Sequence, residues 1–251
     1  MIEKQDTALK CELRPAVNFN ERKVEAPDIL LLHYTGMQDC DAAVNWLCME
    51  ESQVSCHYLV REDGRIVQMV SETNRAWHAG KGSWRGADDI NSRSIGIEIC
   101  NPGHQFGYVD FPDVQIQSVI GLCKDILQRN VIDHRNVLAH SDIAPGRKQD
   151  PGEKFPWEKL SKNGVGHWID PTPISGGRFF SFGDQGEPVE ALQSMLALYG
   201  YNVDINGVFD EQTQKTVSAF QQHFRQERTD GVADASTIDT LYRLISALAV
   251  S

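Results

Sequence analysis

Short apolar runs and amphipathic stretches follow one another along the first two thirds of the chain. Asp28-Ile29-Leu30-Leu31-Leu32-His33 is a continuous apolar run closed by a polar residue, which predicts a buried strand. Tyr58-Leu59-Val60-Arg61 and Arg65-Ile66-Val67-Gln68 flank Glu62-Asp63-Gly64, and Asp-Gly between two β-prone runs predicts a hairpin. Residues 94–100 alternate Ile95, Ile97 and Ile99 with Gly96 and Glu98, so a strand here puts Glu98 on the face opposite the isoleucines. Asn136-Val137-Leu138-Ala139-His140 is another short strand ending in histidine. Between them, residues 41–51 carry Val44, Leu47 and Cys48 at helical spacing. Ile116, Val119, Ile120, Cys123, Ile126 and Leu127 form the stripe of a core-facing helix over 112–129, with Pro112 suited to its first turn. Strands and helices mixed in this way predict an α/β domain: a mixed central sheet flanked by helices.

The pattern changes near Ile169. Residues 170–184 hold two prolines, three glycines and no periodicity, and read as a linker. Beyond it, Val189, Leu192, Leu196 and Tyr199 mark one short helix. Val217, Phe220 and Phe224 mark a second after the Asn206-Gly207 turn, and residues 237–249 predict a third. The expected organisation is an α/β domain over 1–170, a linker over 171–183 and a small three-helix domain over 184–251.

Charge and composition narrow the function. With 24 Lys+Arg against 35 Asp+Glu, the net charge of −11 argues against a nucleic-acid partner. No apolar run approaches the roughly 18 residues that span a bilayer. The first twenty residues lack the apolar core of about 7–15 residues found in a signal peptide. Cys11 lacks the upstream apolar stretch of a lipoprotein site. The expected location is therefore cytoplasmic, or periplasmic and wall-associated by a route the sequence does not display. The six cysteines, at 11, 40, 48, 56, 100 and 123, form no CxxC pair. They are expected to be free, mostly buried thiols rather than a zinc cluster.

His33, His140 and Asp150 stand where strands end and loops begin. Two imidazoles and one carboxylate can make a three-ligand zinc site with an open fourth position, which lowers the pKa of a bound water. A histidine at a strand end also serves as a surface or capping residue, so spacing alone leaves both readings open.

The surrounding residues carry a resemblance. The segment from His140-Ser141-Asp142-Ile143-Ala144-Pro145-Gly146 through Arg147-Lys148-Gln149-Asp150-Pro151-Gly152 resembles the signature loop of the zinc-dependent N-acetylmuramoyl-L-alanine amidases, which share a fold with peptidoglycan recognition proteins. Leu32-His33-Tyr34-Thr35, Ser55-Cys56-His57-Tyr58-Leu59-Val60, Arg75-Ala76-Trp77-His78-Ala79-Gly80 and the stretch from Asn91 to Glu98 resemble four further blocks, in order, across about 28–157. The resemblance implies one zinc ion on His33, His140 and Asp150. It implies Glu98 as catalytic carboxylate and Lys148 as catalytic cation, acting on the bond between N-acetylmuramic acid and L-alanine in peptidoglycan or muropeptides. Glu98 would take a proton from the attacking water and pass it to the leaving amine, while Lys148 and the zinc counter the charge of the tetrahedral intermediate. Taken alone, Glu98 reads as an outward, solvated strand residue and Lys148 as a surface lysine. Cys56 replaces a tyrosine of phage-type relatives, and Glu98 places the chain in the glutamate-using bacterial branch.

Trp77 and His78 either line the sugar-peptide groove or pack the sheet edge and cap a turn. His57 reads as a hydrogen-bonded core histidine or a groove contact. His104, His134, His167 and His223 are expected to be solvated, and Trp46 to lie in the core. The carboxy-terminal region resembles the three-helix peptidoglycan-binding domain through Gly186-Glu187-Pro188-Val189-Glu190-Ala191-Leu192-Gln193, Tyr199-Gly200-Tyr201, Asp204-Ile205-Asn206-Gly207-Val208-Phe209-Asp210 and Asp230-Gly231-Val232-Ala233-Asp234. Tyr201 is expected there as an exposed ring able to stack on sugar. The competing readings are a binding-only recognition protein on the same fold and a wall-docking scaffold or inhibitor. Oligomeric state is not legible. Removing the chain after residue 183 is expected to reduce activity on intact sacculi more than on soluble fragments.

Overall fold

A computed structural model describes residues 2–248. Its centre is a six-stranded mixed sheet in the order β1 (Cys11–Leu13), β5 (Ile66–Gln68), β4 (Tyr58–Val60), β7 (Ser94–Ile99), β3 (Ile29–Tyr34) and β8 (Val137–Ala139). β4, β7, β3 and β8 run parallel, and β4 and β5 form the antiparallel hairpin turned at Gly64. A second, two-stranded antiparallel sheet joins β2 (Phe19–Glu21) to β6 (Asn74–Ala76). Each central strand is apolar because both of its faces are covered.

One face takes α3 (Asp113–Arg129), whose Ile116, Val119, Ile120, Cys123 and Ile126 pack with Leu30, Leu32, Ile95, Ile97 and Ile99. Each such buried aliphatic side chain contributes about 1.5–3 kcal/mol. At the hairpin end of the sheet, α1 (Cys40–Cys48) is capped by Asp39, whose side chain accepts from the N–H groups of Asp41 and Ala42. It buries Ala43, Val44 and Leu47. Short helices α2 (Ile90–Arg93), α4 (His140–Ile143) and α5 (Trp157–Lys162) fill the connections.

The carboxy-terminal region is built from α6 (Glu187–Tyr199), α7 (Glu211–Phe224) and α8 (Ala235–Leu248). Its core is not separate. Val189, Leu192, Tyr199, Tyr201 and Phe220 belong to one cluster with Ile29, Leu31, Trp84, Leu138 and Ile143 of the first domain. The segment between the two is irregular, yet it lies along α8. The Thr172 N–H donates to Thr240 Oγ1, and Arg243 donates to the Asp170 carbonyl.

The structure corrects several sequence expectations. Cys40 and Cys100 form a disulfide across 60 residues, because α1 begins beside the end of β7. Cys11, Cys48, Cys56 and Cys123 are free. Tyr201 is buried rather than exposed, packed edge-on to Trp84. His223 is buried between the Trp157 and Phe224 rings, with centroids 3.7 and 3.8 Å away. His167 is half-buried, with the Tyr199 hydroxyl 2.8 Å from its Nδ1, whereas His104 is exposed as expected. Trp46 is 46% exposed, because α1 turns residues 43, 44 and 47 inward and leaves 46 on its shoulder.

Candidate active site

In an open α/β sheet, ligands bind beyond the carboxyl ends of the parallel strands. His33 is the penultimate residue of β3, Glu98 that of β7, and His140 follows β8. His33 pairs with Glu98 in the parallel register. Both lie on the face opposite α3, since side chains alternate along a strand and Leu32 and Ile97 face that helix. Asp150 returns on the loop after α4, and the Ser141 N–H donates to its carbonyl at 3.1 Å. That bond ties the two ends of the 140–150 loop together.

His33, His140 and Asp150 are all buried. His33 Nδ1 lies 2.8 Å from His140 Nδ1 and 3.0 Å from Asp150 Oδ2, and His140 Nδ1 lies 2.9 Å from the same oxygen. The outer nitrogens reveal the protons. His140 Nε2 is 2.9 Å from the Ala79 carbonyl, which can only accept, so Nε2 carries a proton and the neutral ring has its lone pair on Nδ1. The Ser94 hydroxyl donates to the Ile90 carbonyl at 2.6 Å and so accepts from His78 Nε2 at 3.3 Å. His78 Nδ1 is then free to accept from His33 Nε2 at 3.0 Å, and His33 Nδ1 also keeps its lone pair. Two imidazole lone pairs and a carboxylate oxygen converge on one point, an arrangement that suits a cation.

Burial, with His140 adding, pushes the His33 imidazole down to about 4, against the pull of Asp150. Burial would raise the Asp150 carboxyl, but His140 and His33 overcome it and hold the group well below the usual carboxylate range. Burial raises the Glu98 carboxyl well above its ordinary value. Asp150 adds to that shift and Lys148 opposes it. Glu98 is half-buried as a residue, while its Oε2 is fully enclosed and has no protein hydrogen-bond partner. Lys148 is half-buried, on a turn closed by the Arg147 and Lys148 N–H groups donating to the Ala144 carbonyl.

His33, His140, Asp150, Glu98, Lys148 and His78 line one cleft of about 570 Å³. Trp46, Leu47, Met37 and Val54 give it an apolar wall, and His104, Gln105 and Gln149 add polar groups. Trp77 and His57 are not brought to it. The Trp77 indole donates to Asn20 Oδ1 at 2.7 Å, holding the edge of the small sheet. His57 is fully buried; its Nδ1 accepts from the Gly96 N–H at 3.0 Å and its Nε2 donates to the Asn74 carbonyl at 3.1 Å. His78 reaches the cleft chiefly as the group behind His33. Its ring lies so close to the backbone that a Cβ on Gly96 would stand 2.5 Å from Nδ1. Sequence reading missed Arg147, which donates to the carbonyls of Ala79 and Lys81 and fixes the loop that orients His140. It also missed Asn91, whose Oδ1 accepts from the His78 and Ala79 N–H groups. Neither residue stands at a spacing that marks it.

Comparison with known proteins agrees with this geometry. Residues 23–153 match the N-acetylmuramoyl-L-alanine amidase family, and residues 185–241 match the peptidoglycan binding domain family. The chain is 42% identical to the N-acetylmuramoyl-L-alanine amidase AmiD of Escherichia coli over 224 residues, covering 83% of this chain and 79% of AmiD. It is 36% identical to the 1,6-anhydro-N-acetylmuramyl-L-alanine amidase AmpD of Citrobacter freundii over 127 residues, 51% of this chain and 66% of AmpD. AmiD of E. coli in complex with anhydro-N-acetylmuramic acid-L-Ala-D-γ-Glu-L-Lys superposes with a TM-score of 0.76 at 35% identity, covering 92% of this chain and 98% of that one. AmpDh3 of Pseudomonas aeruginosa with anhydromuramic pentapeptide gives 0.74 at 31%, covering 99% of each. With the sheet, the buried His–His–Asp group and both halves of the chain matched, the protein belongs to the N-acetylmuramoyl-L-alanine amidase family and is an enzyme of that activity.

Proposed function

We propose that the protein is a zinc amidase that cuts between N-acetylmuramic acid and L-alanine, with anhydro-muropeptides among its substrates, as in the AmiD and AmpDh3 complexes. The observation that carries the metal is the convergence of two imidazole nitrogens and one carboxylate oxygen, with the outer nitrogen of each ring engaged by another group. Hard and borderline donors of this kind, N₂O in number, suit zinc. His33, His140 and Asp150 would hold it. When bound, zinc supplies Lewis acidity that acidifies a water molecule and draws charge from the scissile carbonyl.

The remaining work falls to the chain. Glu98, raised by burial, accepts the proton of the attacking water and returns it to the leaving nitrogen, which a carboxyl of ordinary pKa does less readily. Lys148 places a positive charge at the cleft where the oxyanion develops. His78 and Ser94 fix the His33 ring, and Ala79 fixes His140. Release of free peptide from soluble muropeptides tests this reading. Chelator is expected to abolish release and added zinc to restore it. Glu98→Gln is expected to lower kcat by about 10²–10⁴ while leaving zinc content at one per chain. Full activity of Glu98→Gln would remove Glu98 from the mechanism.

For the compartment, no helix among the described residues is long and apolar enough to cross a membrane. The Cys40–Cys100 disulfide favours an oxidising compartment, and so the exported, wall-associated reading over the cytoplasmic one.

A further inference from the structure

We propose that Tyr201 and His223 of the carboxy-terminal domain are positioning residues for the metal-ligand loop, acting through Asp142 to set the direction in which His140 presents its Nδ1.

Asp142 is fully buried in α4, the single turn of helix that His140 opens. Its Oδ2 accepts from the Ala139 N–H at 2.8 Å, reaching back to the start of the turn as a capping carboxylate does. The other two groups on it come from the second domain. The Tyr201 hydroxyl donates to Oδ1 at 2.6 Å, and His223 Nδ1 bonds Oδ2 at 2.6 Å. Both donors are themselves buried. Neither can swing away. His223 is stacked between Trp157 and Phe224, and Tyr201 is packed against Trp84. Gly200 lies so close to the Trp84 indole that a Cβ there would stand 2.6 Å from it, and its carbonyl accepts from the Arg85 N–H.

The far side of the same loop is held too. A Cβ on Gly146 would stand 2.2 Å from the Lys215 side chain, so the turn carrying Lys148 rests on α7. An apolar side chain at 142 would fill the same junction without the cost of desolvating a carboxylate. What the carboxylate adds is direction. Three hydrogen bonds fix the turn in rotation, whereas apolar packing tolerates small rotations. A rotation of α4 by a few degrees would move His140 Nδ1 off the point that His33 and Asp150 share.

This inference rests on the reading that the His–His–Asp group holds zinc. The test uses the full chain with Tyr201→Phe, His223→Phe and His223→Asn. The phenyl ring of His223→Phe keeps the stack and removes the donor. The amide of His223→Asn restores a donor at the Nδ1 position and removes the ring. Zinc affinity is read by competition with a chromophoric chelator, cobalt geometry by visible absorption, and kcat and KM on a soluble muropeptide. Tyr201→Phe and His223→Phe are expected to hold zinc about tenfold more weakly, the scale of lost outer-shell support. They are also expected to shift the cobalt band and to lower kcat with KM kept, since neither residue lines the cleft. His223→Asn is expected to recover zinc affinity while melting at a lower temperature than the parent. Parent-level zinc affinity and cobalt spectra in both phenylalanine variants, whatever their melting temperatures, would overturn the proposal. A parent that holds no zinc would overturn the metal reading, and this inference with it.

Discussion

His57 shows how one buried side chain links the site to stability. Burial, with the Arg22 charge adding, lowers its imidazole from 6.5 to about 3. The unfolded chain therefore binds a proton that the folded chain refuses. The stability this neutral ring contributes is complete above about pH 6.5 and is lost as pH falls toward 3, by about 1.4 kcal/mol per pH unit. His78 acts in the same sense, lowered well below its ordinary value by burial and then by the neighbouring imidazoles. Urea melts between pH 6 and 4 should show a shallower pH slope for His57→Gln than for the parent, by about one proton; an unchanged slope would mean that His57 is not the group responsible. The residues legible in the sequence are those that close apolar runs. His33 and His140 each close a run of strand residues and Glu98 alternates with isoleucines, so the pattern places them at strand ends, while the roles expected of them came only from the resemblance. Tyr201 and His223 were not legible, because their partner Asp142 lies 59 and 81 residues away and nothing local marks the pairing.

Among the elements, the start of α1 is joined to the residue that follows β7 by the disulfide that sequence reading left as two free thiols. Its closed loop spans 60 residues, for which the chain-entropy account gives up to about 4 kcal/mol. Alkylation of the unfolded, unreduced protein should modify four cysteines, and prior reduction should raise that to six. Cys40→Ser with Cys100→Ser should lower the urea midpoint by a corresponding amount. Six modified cysteines without reductant would remove the bridge and the compartment argument built on it. The hairpin, the long helix α3 and the three carboxy-terminal helices were legible because each is a local pattern of period 2 or 3.6. The order of strands in the sheet was not, since it depends on crossovers between segments far apart in sequence.

For the whole molecule, the two matched halves behave as one body. Residues from both contribute to a single apolar cluster around Trp84, Tyr199 and Phe220. Ending the chain at residue 183 would uncover Ile29, Leu31, Trp84 and Leu138 and leave Asp142 without two of its donors. The sequence suggests that such a truncation reduces activity on sacculi more than on soluble fragments. The shared core predicts instead that activities on sacculi and on fragments fall together, with aggregation visible by size-exclusion chromatography. Retained fragment activity in a monomeric truncation would restore the view of a detachable wall anchor.

The indole of Trp46, left on the shoulder of α1 and facing the cleft, gives the enzyme a built-in optical gauge. Trp84 and Trp157 are already shielded from water, so a muropeptide filling the cleft has most to change at position 46. Titrating Glu98→Gln protein with substrate should move the emission toward the blue, and Trp46→Phe in the same background should leave the spectrum still. A simple fluorimeter would then follow occupancy without turnover.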